Sequence, residues 1–141
     1  GHSGMGKSTH TALWHQLFQT PYLNGDLNLI GSQNGSFCVY GIPWCGTSGI
    51  YTTRQYPLGG IILLGRQPDQ DVINELSTQE KILRVMQRMI SPAWTAELLD
   101  QNLSFASKTA DKVPVFHLSC TMRPSAAQTA REAIDRLEDL Q

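Results

Sequence analysis

The chain has 141 residues, a hydrophobic fraction of 40% and a net charge of -1 from 11 basic and 12 acidic residues. That length suits a single domain with a real core, and the balanced charge gives no basic excess pointing to nucleic acid or to an anionic lipid surface. The longest apolar run, Ile61-Ile62-Leu63-Leu64, is far too short to cross a bilayer, and no secretory signal pattern is present. The three cysteines, Cys38, Cys45 and Cys120, lack C-x-x-C spacing, which argues against a disulfide framework or zinc site and fits a reducing cytoplasm.

In chain order, Gly1-His2-Ser3-Gly4-Met5-Gly6-Lys7-Ser8 matches the full G-x-x-x-x-G-K-[ST] phosphate-loop pattern. Its glycines let backbone N–H groups curl around a phosphate. Its lysine reaches the outer phosphates, and its serine hydroxyl binds Mg²⁺. The segment Lys7 to Phe18 reads as a helix starting on this loop, with Leu13, Trp14, Leu17 and Phe18 at helical spacing, and it stops before Thr20-Pro21. The helix N-terminus adds partial positive charge toward an anion. Thr9 extends the pattern. His10, His15 and His117 have no metal-ligand spacing with an acid and read as structural, and only the backbone of His2 is needed in the loop.

Leu27 to Ile30 reads as a short strand, Gln33-Asn34-Gly35 as a tight turn, and Ser36 to Gly41 as the second strand of a hairpin. Residues 42–57, broken by prolines and glycines and rich in hydroxyls, read as a loop. Leu58 to Leu64 reads as a buried strand bounded by Pro57 and Gly65. Ser77-Thr78-Gln79-Glu80 is a capping box opening a helix with the apolar stripe Ile82, Leu83, Val85, Met86, Met89 and Ile90, ended by Ser91-Pro92. Trp94 begins a helix to about Ala106, Val113 to Cys120 alternates as a strand, and Pro124 opens a last helix with Ala126, Ala130, Ile134 and Leu137 on one side. The expected fold class is therefore α/β, with one mixed sheet and flanking helices. A phosphate loop normally follows a buried strand, so the expectation is one phosphate-loop domain over 1–141, an N-terminally truncated fragment lacking its first strand or strands.

A phosphate loop needs a second metal-holding group, usually an acid at a strand end. Asp26, in Leu23-Asn24-Gly25-Asp26, is the first candidate downstream; an Asn-Gly-Asp turn with a solvated carboxylate reads equally well from the residues alone.

Four blocks occur in order: GHSGMGKSTHTALW, LNGDLNLI, YGIPWCGTSG and TRQYPLGGIILL. Together they resemble the HPr kinase/phosphorylase-like and phosphoenolpyruvate-carboxykinase-like nucleotide-binding superfamily, in particular its small bacterial HPr-kinase-like proteins. The combination of Tyr40-Gly41-Ile42-Pro43-Trp44 with Arg54-Gln55-Tyr56-Pro57-Leu58 is the specific part. The resemblance implies that ATP is bound by Ser3, Gly4, Met5, Gly6, Lys7, Ser8 and Thr9, and that Ser8 and Asp26 hold Mg²⁺. It implies that Lys7 contacts the outer phosphates and that Arg54 reaches the transferred phosphoryl group, where a planar, permanently charged donor suits spread negative charge. Trp44 shapes the wall of the nucleotide cleft or belongs to the core.

Two departures accompany it. The protein kinases of the superfamily carry adjacent aspartates, and here Gly25 precedes Asp26; the related small proteins often carry a lysine where this chain has Thr47. The implied activity is a cytoplasmic Mg²⁺-dependent kinase with Lys7, Asp26 and Arg54 as catalytic residues. It would transfer the γ-phosphoryl of ATP to a hydroxyl, such as a serine of a small protein or peptide, and the family implies a homo-oligomer. The alternatives are a non-catalytic nucleotide-binding module and, last, carboxykinase chemistry. Neither nucleic acid nor membrane is an expected partner.

Overall fold

A computed structural model of the chain describes residues 4–138. Ser3, one of the expected nucleotide-binding residues, lies outside the described residues, as do Gly1 and His2. Among these residues the fold is α/β, built on two small three-stranded sheets with four α-helices.

The first helix, α1 (Lys7–Phe18), begins where expected. Gly6 precedes it at φ 91°, and Gln19 ends it at φ 55°, its N–H returning to the His15 carbonyl. Pro21 then bars continuation. Next comes the hairpin of β1 (Leu29–Gln33) and β2 (Ser36–Tyr40). Its two-residue connection, Asn34 and Gly35, has positive φ at both positions, the geometry that matches strand twist. β3 (Gln55–Pro57) pairs antiparallel with β2, and a single 3₁₀ turn covers Gly46–Ser48. Residues 42–57 are therefore not wholly loop. Three residues with a terminal proline carry too little pattern to show as a strand, and pairing with β2 creates it.

The second sheet has the order β4 (Ile61–Arg66), β6 (Val115–Cys120), β5 (Val72–Glu75). β4 runs parallel to β6, and β5 runs antiparallel to it. The single mixed sheet expected from sequence is thus two sheets. The hairpin pairs with β3 and stays apart from the parallel pair, a choice made by long-range pairing that periodicity does not encode. β4 also starts three residues later than expected and continues through Gly65. β5, four residues long and at an edge, is not among the expected strands.

α2 (Thr78–Met86) carries the expected capping box: the Glu80 N–H donates to Ser77 Oγ, and the Ser77 N–H donates back to the Glu80 carboxylate. It is shorter than its apolar stripe, and Leu83 and Ile90 at that stripe's edges are exposed. α3 (Ala96–Lys112), capped by the Thr95 hydroxyl, runs six residues further than expected, and α4 (Pro124–Glu138) opens at Pro124.

The central strand β6 explains the layering. Val115 faces Leu63, Val85 and Ala106, the side of α2 and α3. Leu118 and Cys120 face Ala126, Ala130 and Trp14, the side of α4 and α1. Strand alternation thus feeds two apolar clusters, one on each face of the sheet. The hairpin sheet is tied on by Phe37 packing edge-on against Phe105 of α3 at 5.7 Å, and by Lys112 Nζ donating to the Gly35 carbonyl at 2.8 Å. No helix among the described residues is long and apolar enough to cross a membrane.

Candidate functional site

The phosphate loop sits beside the carboxyl ends of the parallel strands β4 and β6. Gly4 and Gly6 both have positive φ (77° and 91°), a conformation open to glycine, just before α1 begins at Lys7. The segment after β6 lies against the loop: a β-carbon on Gly6 would fall 2.8 Å from Met122 Sδ. That segment is clamped by Asp71, whose carboxylate accepts from the Thr121 N–H at 2.6 Å and from Ser125 Oγ at 2.5 Å. The loop thus lies at the carboxyl ends of β4 and β6, the edge at which open α/β sheets bind ligands.

Lys7 and Ser8 open onto a cavity of about 630 Å³, whose far wall carries Asn24, Gly25, Asp26 and Ser48 and whose floor includes Ile62 and Leu64 of β4. Asp26 is the sole carboxylate among the described lining residues. It is held by backbone bonds. Its own N–H donates to Asn24 Oδ1 at 2.7 Å, while the Gly25 N–H reaches the Ile50 carbonyl at 3.0 Å and the Leu27 N–H reaches the Trp44 carbonyl at 3.3 Å. The Asn24 side-chain amide donates to the Ile42 carbonyl. The Asn-Gly-Asp segment is a turn with Asp26 exposed, and Asp26 lines the same cavity as Lys7 and Ser8.

Gly25 has a steric reason. A β-carbon there would lie 1.9 Å from Ser48 Oγ and 3.0 Å from the Cys45 carbonyl oxygen. Ser48 of the 3₁₀ turn fills the space that a side chain at position 25 would need.

Arg54 is placed elsewhere. It is exposed, its N–H donates to Thr52 Oγ1 at 3.2 Å, its carbonyl accepts from the Gly41 N–H, and it is not among the described residues lining the cavity. Trp44 is 67% exposed and does not line the cavity either, so it is not a core residue. Thr9 is exposed on α1. Sequence reasoning missed Ser48 and Ile50, brought over the cavity by pairing of 50–52 with 23–25, and Arg66, whose guanidinium Nη2 donates to the Gly4 carbonyl at 2.5 Å.

No group of three or more His, Cys, Asp or Glu residues among the described residues could hold a metal ion alone. One carboxylate and one hydroxyl still fit Mg²⁺, which takes most of its ligands from water and substrate phosphates.

His10 is buried and lines the cavity, with Nε2 unpartnered among the described residues. Burial holds its imidazole below the ordinary value of 6.5, and the Ala126 backbone and the Asp71 charge oppose this only partly. The unfolded chain therefore binds this proton more readily. Stability attributable to His10 is complete above about pH 6.5 and declines as pH falls below it. Urea unfolding midpoints at about pH 7.5 and 5.0 are expected to show this decline, and His10→Gln to flatten it. Equal slopes in both proteins would exclude His10 as its source. Asp71 and Glu80, both lowered, act below this window.

The chain matches no protein-family model, no curated protein and no solved structure.

Proposed function

We propose that the chain binds ATP with Mg²⁺ through a phosphoenolpyruvate-carboxykinase-like phosphate-loop domain and transfers the γ-phosphoryl group to a hydroxyl acceptor. The observation that carries this reading is the convergence of Lys7, Ser8 and Asp26 on one cavity beside a loop with two left-handed glycines. Lys7 and the loop amides would bind the outer phosphates. Ser8 and Asp26 would hold the metal, which supplies charge neutralisation between those phosphates when bound. The three cysteines, all free, suit a cytoplasmic setting, where ATP is abundant.

A second reading has its own observation. Ser48 fills the space beside Gly25, so the cavity has one carboxylate where the related kinases have two. That favours a module that binds nucleotide without transferring phosphate. Incubation with γ-labelled ATP and cell extract separates the two. Under the kinase reading a protein or peptide acceptor becomes labelled, and Asp26→Ala lowers the labelling at least about tenfold. Tight ATP binding with neither transfer nor hydrolysis would leave the regulatory module as the function. Oxaloacetate-dependent ATP consumption would point instead to carboxykinase chemistry.

A further inference from the structure

Arg66 is the last residue of β4, opposite Cys120 of β6, and the pairing continues past it through the Gln67 N–H to the Cys120 carbonyl at 2.9 Å. Its backbone is therefore fixed at the carboxyl end of the parallel pair. From there its side chain crosses to the loop and donates to the Gly4 carbonyl. In a trans peptide, the Gly4 carbonyl and the Met5 N–H lie in one plane and point in opposite directions. A guanidinium that holds the oxygen also sets the direction of that N–H.

The orientation has a consequence for anion binding. A phosphate loop works only if its amide hydrogens converge on the anion and its carbonyls face away, since a carbonyl turned inward would repel the phosphate. Positive φ at Gly4 and Gly6 makes this conformation accessible, but the same freedom makes other conformations accessible too. Met122, packed against Gly6, restrains the second glycine. Arg66 restrains the first.

We infer that Arg66 is a positioning residue of the phosphate loop: by holding the Gly4 carbonyl it presents the Met5 N–H to a bound polyphosphate. This rests on the phosphate-loop reading of the site. Its permanent charge also adds to the positive field of Lys7 and the α1 terminus.

The test uses the full chain and two probes, MgATP and inorganic tripolyphosphate, with binding followed by calorimetry and the Met5 amide by ¹H–¹⁵N NMR. Arg66→Ala is expected to weaken both probes about tenfold, the usual effect of losing one charge-assisted hydrogen bond. The melting temperature should stay near that of the parent, and the Met5 amide should no longer shift on adding tripolyphosphate. Arg66→Lys, which keeps a charged donor, should bind within about threefold of the parent. Arg66→Ala that binds both probes like the parent, while Lys7→Ala has lost them, overturns the inference. If Lys7→Ala also binds like the parent, the phosphate-loop reading itself has failed. Should Arg66→Ala not fold, Arg66→Met, which keeps the length and removes the donor, decides: a loss of about tenfold for both probes supports the role, and near-parent binding overturns it.

Discussion

Lys7→Ala is expected to weaken MgATP binding about a hundredfold while leaving the melting temperature within a few degrees of the parent. Lys7, the first residue of α1, lines the same cavity as Asp26. A charge-assisted hydrogen bond to an anion contributes about 1.5–3 kcal/mol, the upper end applying where solvent is partly excluded. About 3 kcal/mol is roughly a hundredfold in affinity. The helix itself has little reason to suffer. Alanine is at least as good a helix former as lysine, and a cation in the first turn opposes the helix dipole, so its removal there is neutral or mildly favourable. The backbone carbonyl of Lys7, which accepts from Thr11 Oγ1 at 2.9 Å, remains in the variant. Calorimetric titration together with a thermal melt gives both numbers. Unchanged affinity would mean that the loop does not hold phosphate.

That separation of binding from folding mirrors which parts of the molecule were legible in the sequence. α1, the Asn34-Gly35 turn, the Ser77 capping box and the Pro124 start of α4 all follow from signals within a few residues of where they act. The division into two sheets does not, because it depends on whether β2 pairs with β3 or with the parallel pair, a contact between distant segments. β5 shows the same limit. Val72-Ile73-Asn74-Glu75 has only two apolar residues, too short a run to show as a strand, and becomes one by pairing with the edge of β6.

The candidate site divides along the same line. Lys7 and Ser8 stand in a contiguous pattern and could be read directly. Asp26 needed the resemblance, and its place on the same cavity as Lys7 goes with the pairing of 23–25 with 50–52. Arg66 carries no motif, and its partner Gly4 is 62 positions away. Arg54 shows the converse: a residue placed by motif alone is exposed and away from the cavity lining, and its backbone carbonyl holds Gly41.

Gly41 is where that segment is most exposed to disruption, and Gly41→Ala is expected to destabilise the chain by about 3 kcal/mol and to weaken MgATP binding as well. A β-carbon at Gly41 would lie 1.7 Å from the Thr52 carbonyl oxygen, a backbone atom that cannot rotate aside. Inserting a methyl group into such a contact forces the chain apart, and overpacking of this kind costs about 1–3 kcal/mol, with backbone clashes at the top of the range. For a chain of this size that corresponds to a melting temperature lower by roughly 10 °C. The movement needed to relieve the clash would stretch the bond from the Gly41 N–H to the Arg54 carbonyl. It would also shift Thr52, whose N–H donates to the Leu23 carbonyl at 3.0 Å. Because 50–52 pairs with 23–25, the shift reaches Ser48, Ile50 and Asp26, the far wall of the cavity. Binding should therefore fall even at temperatures where the variant is fully folded, unlike a core substitution that lowers stability alone. Leu118→Ala supplies that comparison, since Leu118 is fully buried and does not line the cavity. If Gly41→Ala melts early but binds MgATP like the parent at low temperature, the 42–57 segment does not shape the nucleotide site, and Asp26 would lose its place in the proposed metal site.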